Sequence, residues 1–305
     1  MAFDAFALIL AMLALGLLFA RLRLFPEGAA HVLNLVVLYV CLPAAVLTFV
    51  PRLHLDPSLL GLMLTPWILM GAVYGLVAIA GRALKLARSE QAALLICVGF
   101  SNSSFIGYPM VRALLGDHAL PYAVVYDQFG TFLMLSTLGI VILARYSGET
   151  PPGARQLVLR VVKFPPLWAL VFAVTLMPAA PPAWIASGLQ RLADAMLPLV
   201  MLSVGLSIQL RLPRHELKPL AVGLALRLLV MPALAIPLSY AFGLRGQLFQ
   251  VNVLESAMPT MITAAALAIS HNLAPRLCAA LTGYSIVLSL ATLPLLAWLL
   301  PHLAP

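Results

Sequence analysis

Two polar stretches interrupt an otherwise apolar chain: GFSNSSFIGYPM (99–110) and NVLESAMPTM (252–261). In each, an asparagine stands seven residues ahead of a proline, Asn102 before Pro109 and Asn252 before Pro259. Proline removes an amide donor, and its ring clashes with the carbonyl four residues back. Serine and asparagine side chains compete for the backbone's own hydrogen bonds. The spacing predicts two interrupted helices. One unwinds near 101–108 and restarts at Pro109, a suitable first-turn residue. The other breaks around Ser256–Ala257 and restarts near Pro259, with Thr260 beside it.

A restarted helix presents unpaired amide N–H groups and the positive end of its dipole. Two such ends facing each other suit a carboxylate or a similar anion, and the matching carbonyl ends suit a cation or a donor group. The candidate substrate-binding residues are therefore Asn102, Ser103, Ser104, Pro109, Ser256, Pro259 and Thr260, with Gln128 and Arg227 beside them. Asp127 (in YDQFG, 126–130) and Glu255 are candidate carriers of a proton or coupling ion. A carboxyl group removed from water holds its proton more readily than an exposed one. Arg227 admits two readings: it fixes an anionic substrate, or it snorkels to an interface. One of the two acids could also neutralise it in a structural pair.

These residues need elements that hold them in lipid. The chain has 305 residues, 63% of them hydrophobic and 9% charged, with a mean hydropathy of +1.05. A soluble domain carries roughly 25% charged residues. Apolar runs near the ~20 residues that cross a bilayer recur from end to end, and the ~10-residue alternation of a β-barrel is missing. The fold class expected is an all-α membrane protein with ten spans, at about 4–20, 29–50, 58–81, 91–115, 119–144, 157–177, 184–210, 218–241, 247–270 and 277–300. Asp127 and Arg227 then lie ~12–13 Å along their spans at helical rise, where ionisable groups are expensive. The first span, with Asp4 and no basic leader, reads as a retained helix rather than a signal peptide.

The net charge of +8 reports orientation rather than a nucleic-acid partner. Arg21, Arg23, Arg82, Lys85, Arg88, Arg145, Arg155, Arg160, Lys163, Arg211, Arg214, Lys218 and Arg276 fall on the face reached after an odd number of spans. Arg52, Arg112, Arg191 and Arg245 fall on the other. The positive-inside rule places both termini outside the cytoplasm, as an even number of spans requires. Cys41, Cys97 and Cys278 lie in apolar segments without motif spacing, so disulfides and a metal site are not expected. His31, His54, His118, His215, His271 and His302 fall at span ends or in loops and read as interfacial.

The chain also repeats itself. CLPAAVLTF (41–49) matches MLPLVMLSV (196–204), and the Asn-to-Pro spacing recurs in the fourth and ninth spans. Two matches in the same order suggest five-span repeats, about 1–145 and 157–300. Five is odd, so the second repeat enters the membrane from the opposite side. Inverted repeats with interrupted helices are a recurring sign of a secondary transporter. Nothing points to an intramembrane enzyme: HExxH, GxSxG and paired aspartates are all missing, and HELKP (215–219) lacks the second histidine.

Several stretches carry a resemblance. LNLVVLYVCLPAAVLTF (33–49), FSNSSFIGYPMVRALLG (100–116), LPLVMLSVGLSI (197–208), ESAMPTMITAAALAI (255–269) and YSIVLSLATLPLL (284–296) resemble the auxin efflux carrier family. The resemblance implies the fold of the bile-acid/sodium symporters, in which helices 4 and 9 cross. It also implies a scaffold from helices 1, 2, 6 and 7 and an elevator-like transport domain from helices 3–5 and 8–10. Members are often homodimers that move organic anions, so the implied partners are a small mono- or dicarboxylate, the lipid bilayer and a second copy. No cofactor is implied beyond coupling to a proton or sodium ion. The chain lacks the long central loop of the long plant carriers and looks like a short, bacterial-type, malonate-transporter-like member in the plasma membrane. A cation/proton exchanger or a sodium-coupled symporter on the same fold is the alternative.

Overall fold

A computed structural model describes residues 2–53, 56–150, 152–208 and 216–304. His54, Arg211, Arg214, His215 and the last two residues of the seventh expected span, 209–210, lie outside the described residues. Within them the fold is helical, with no strand and one isolated antiparallel bridge.

Among the described residues six helices are long and apolar enough to cross a membrane: α2 (Ala29–Phe49), α3 (Leu59–Ala83), α6 (Asp117–Ser147), α9 (Ala183–Ser207), α10 (Leu217–Ala241) and α13 (Pro275–Leu303). The others are α1 (Ala2–Leu22), α4 (Arg88–Gly99), α5 (Tyr108–Leu115), α7 (Ala154–Val162), α8 (Pro165–Thr175), α11 (Gly246–Ser256) and α12 (Ile262–Ser270). Large apolar side chains such as Ile79, Trp168, Leu176, Trp184, Leu229 and Trp298 are exposed, which suits a surface bathed in lipid rather than water.

The sixth expected span is not one helix. Lys163 and Phe164 separate α7 from α8, because Phe164 precedes the Pro165–Pro166 pair and is held extended at φ −82°, ψ 116°. Prolines elsewhere are absorbed. Pro43 sits just after a π-helical turn, Val37–Cys41, where the register of hydrogen bonds resets and its missing N–H falls harmlessly.

The chain forms two compact units, each drawn from both halves of the sequence. The first comprises 1–55, 104–124 and 162–208. Inside it α1 packs along the second half of α9, and the approach depends on two glycines. A Cβ on Gly205 would lie 2.5 Å from the Leu13 carbonyl oxygen and 2.8 Å from the Gly16 Cα. The Ser203 hydroxyl in the same helix reaches Asn34 Oδ1 at 2.8 Å and ties α9 to α2. Gly116, at φ 93°, turns the chain between α5 and α6.

The second unit comprises 56–103, 125–161 and 209–305. Here α3 packs on α4 and on the π-helical stretch Tyr126–Phe132 of α6, and α10 packs on α11. Gly130 allows that stretch to press on α3, since a Cβ there would meet Pro66 Cγ at 2.4 Å.

Candidate functional site

Both interruptions lie in the second unit and meet there. The α4 helix ends at Gly99, and the α11 helix ends at Ser256. The segments beyond them run antiparallel and pair at Ser101 and Thr260. The Asn102 amide donates to the Pro259 carbonyl at 2.9 Å, and the Met261 amide donates to the Phe100 carbonyl at 3.0 Å. Non-helical backbone at membrane depth persists only where its polar groups find partners, and each break supplies the other's.

The breaks differ in place from the sequence expectation. The first is confined to Phe100–Asn102, and a π-helical turn, Ser103–Gly107, leads directly into α5. Pro109 therefore stands inside a helix that has already restarted. The second spans Ala257–Met261, with the restart at Ile262 rather than near Pro259. Pro259 lies within the break, where its carbonyl is used and its lack of an N–H leaves no orphan donor. Thr260 anchors this segment: its amide donates to Ser285 Oγ at 3.1 Å and its hydroxyl to the Cys97 carbonyl at 2.9 Å.

Arg227 is buried, at 3% exposure, so it does not snorkel. It lies on a π-helical turn of α10, Leu226–Val230. Its Nε donates to the Met258 carbonyl at 2.8 Å, its Nη1 to the Val98 carbonyl at 2.7 Å, and its Nη2 to the Ser256 carbonyl. The Val98 and Ser256 carbonyls are among those that the C-terminal ends of α4 and α11 leave without intrahelical donors, and Met258 lies within the second break. A cation there also opposes the negative ends of two helix dipoles. The expected structural partner of Arg227 was an acid; the structure supplies backbone carbonyls instead.

The acids stand nearby in the same unit. The Ser103 hydroxyl donates to Asp127 Oδ1 at 2.6 Å, and Gln128 Nε2 donates to Asp127 Oδ2 at 2.9 Å. Glu255 and Asn102 are buried, at 0% and 1% exposure. The Tyr126 hydroxyl lies 3.0 Å from Ser256 Oγ. Ser256 gives its one proton to the Asn252 carbonyl at 2.7 Å, so Tyr126 is the donor in that pair. Thus Asn102, Ser103, Asp127, Gln128, Arg227, Glu255, Ser256, Pro259 and Thr260 all belong to the second unit, whereas Ser104 and Pro109 belong to the first.

Pro109 lines a cavity of about 830 Å³ within the first unit, along with Phe49, Tyr108, Arg112, Asp194 and Leu197. Its walls are mostly apolar. Arg112 Nε donates to Asp117 Oδ1 at 2.5 Å, its Nη1 donates to Asp194 Oδ1, and its guanidinium lies 5.9 Å from the Phe49 ring centre. Sequence reasoning weighed Arg112 only for orientation and passed over Asp117, Asp194, Tyr126 and Ser239. An arginine with an aspartate five residues on was a readable signal, whereas Asp194, 82 residues away, was not. The pairing of Tyr126 with Ser256 was not.

Comparison with known proteins gives the family. A family model described as "Membrane transport protein" matches residues 1–297. The chain is 35% identical to an "Uncharacterized transporter" of Methanothermobacter thermautotrophicus, over 94% of each chain. It is 25% identical to a second such transporter from Methanocaldococcus jannaschii, over 97% of this chain and 98% of the other. It is also 36% identical to "Auxin efflux carrier component 1" of Arabidopsis thaliana, over 31% of this chain and 15% of the plant protein. A multi-pass membrane transporter rather than an enzyme follows, and the chain belongs to the membrane transport protein family of the auxin efflux carriers.

Proposed function

We propose that this protein is a secondary active transporter of a small organic anion, a mono- or dicarboxylate. One observation carries the reading: two interrupted helices exchange backbone hydrogen bonds at Ser101–Thr260 in the middle of an apolar protein. A purely structural helix pair gains nothing from breaks at this depth, whereas a carrier needs polar backbone that a solute can reach. The substrate sits where the broken helices restart, with Asn102, Ser103, Thr260 and Gln128 orienting it.

The finer architecture is part of the same proposal. The ten segments form two inverted five-helix repeats, and the second unit slides against the first in an elevator-like cycle. Support comes from the matched Asn-to-Pro spacings and from the first unit's inclusion of α1, α2, α8 and α9. The protein works as a homodimer in the cytoplasmic membrane, with both termini outside.

Uptake by proteoliposomes tests the reading. A panel of mono- and dicarboxylates is offered with and without sodium and a pH gradient. Wild type should accumulate at least one acid, and Asn102→Ala should abolish that uptake while leaving expression intact. Unchanged uptake in Asn102→Ala would remove the breaks from the substrate site. A second reading, a cation/proton exchanger, is favoured by the burial of Asp127 and Glu255. It predicts sodium- or proton-driven exchange with no carboxylate present.

A further inference from the structure

The Ser239 hydroxyl donates its single proton to the Ala235 carbonyl at 2.7 Å. Toward Asn252 it can therefore only accept. This fixes the Asn252 amide: Nδ2 faces Ser239 Oγ at 2.8 Å, and Oδ1 points away without a hydrogen-bond partner among the described residues. Three residues on, Glu255 has 0% exposure, and neither of its carboxyl oxygens has a hydrogen-bond partner among the described residues. Helical residues three apart share a face, with Cβ atoms roughly 5–6 Å apart. Asn252 and Glu255 thus hold three buried acceptor oxygens that meet no donor among the described residues, the one amide donor of the pair being used on Ser239.

The neighbouring groups do not repair this. Arg227 has turned its donors to the carbonyls of Val98, Ser256 and Met258. Asp127 and Tyr126 on α6 are the other charged or titratable groups that act on Glu255. Asp127 is an acid itself, and the Tyr126 proton goes to Ser256.

We infer that Asn252 and Glu255 form a proton-binding site, in which a proton carried on a Glu255 carboxyl oxygen is donated to Asn252 Oδ1. The step is a simple protonation: a hydronium ion from the bathing water gives up one O–H bond and becomes water, one O–H bond forms on the carboxylate, which loses its charge, and nothing is oxidised or reduced. One proton turns an acceptor into a donor and so satisfies both residues at once. A hard metal ion asks for more, since calcium and magnesium gather roughly six or more oxygens, and this pair offers three. The inference deepens the carrier reading, because the proton is then the ion coupled to the moving unit, and its loss to one side drives the cycle.

Infrared spectra of the purified full-length chain in lipid at neutral pH test the site without any transport. The expected result is a carboxylic-acid carbonyl band that is lost in Glu255→Gln and displaced in Asn252→Leu, which removes the acceptor. Glu255→Asp keeps the acid on a shorter stem, so its band should move rather than vanish. Identical spectra for wild type and these variants would overturn the site. Exchanging potassium chloride for sodium chloride should leave the band in place, and its disappearance in sodium would replace the proton with a metal ion. Failure of every carboxylate in the uptake panel, with the band intact, would sink the carrier reading and leave the proton site standing.

Discussion

Arg227 gives its donors to carbonyls that two broken helices leave behind, and this sets what its replacement should do. Lysine keeps the charge but lacks the planar fork that reaches several carbonyls at once. Arg227→Lys should lower the midpoint of thermal unfolding in detergent, and Arg227→Met should lower it further. Each buried carbonyl left without a donor costs about 1–3 kcal/mol. Equal midpoints for wild type and Arg227→Lys would rule out the carbonyl contacts as a source of stability. The position of Arg227 inside an apolar span marked it as special, but its partners did not follow from the sequence. They are backbone atoms near residues 98 and 256–258, and backbone carbonyls carry no residue signature.

Helix packing in the first unit turns on Gly16 and Gly205 at the α1–α9 contact, where a Cβ added to either would lie 2.8 Å from the Cα of the other. Gly205→Val should separate the two helices and reduce the yield of folded protein on size-exclusion chromatography. Gly71→Ala, where an added Cβ meets nothing within 4 Å, should be neutral or slightly stabilising by helix propensity. Equal yields for Gly205→Val and Gly71→Ala would dismiss the close approach. At this scale much was legible: long apolar runs gave the long helices, and the prolines gave the neighbourhood of each break. The breaks themselves moved. Ser103 joins a π-helical turn and Pro259 stays outside any helix, because the paired segments, rather than the prolines alone, decide which amides are satisfied.

The whole chain makes a testable statement about sidedness. Asp56, after the second span, and Glu149, after the fifth, are both exposed. The native cysteines are buried and should give little background. Asp56→Cys should react with an impermeant maleimide on intact cells, and Glu149→Cys only after permeabilisation. The reverse pattern would invert the proposed orientation. Charge bias along the sequence suffices for this prediction, because insertion responds to basic residues in short loops and not to tertiary contacts.

Composition and hydrophobic length alone determined that this is a helical membrane protein, since a chain with 9% charged residues has too little polar surface to face water. Residue order determined the family and the two places where a helix must fail. Only the tertiary structure decided how those failures are made tolerable: Ser101 pairs with Thr260 and Arg227 collects the stranded carbonyls, while Ser239 turns the Asn252 amide so that its oxygen, like both Glu255 carboxyl oxygens, has no hydrogen-bond partner among the described residues. Hydrogen bonds between residues far apart in sequence depend on direction and distance, and neither is written in the identity of the residues that make them.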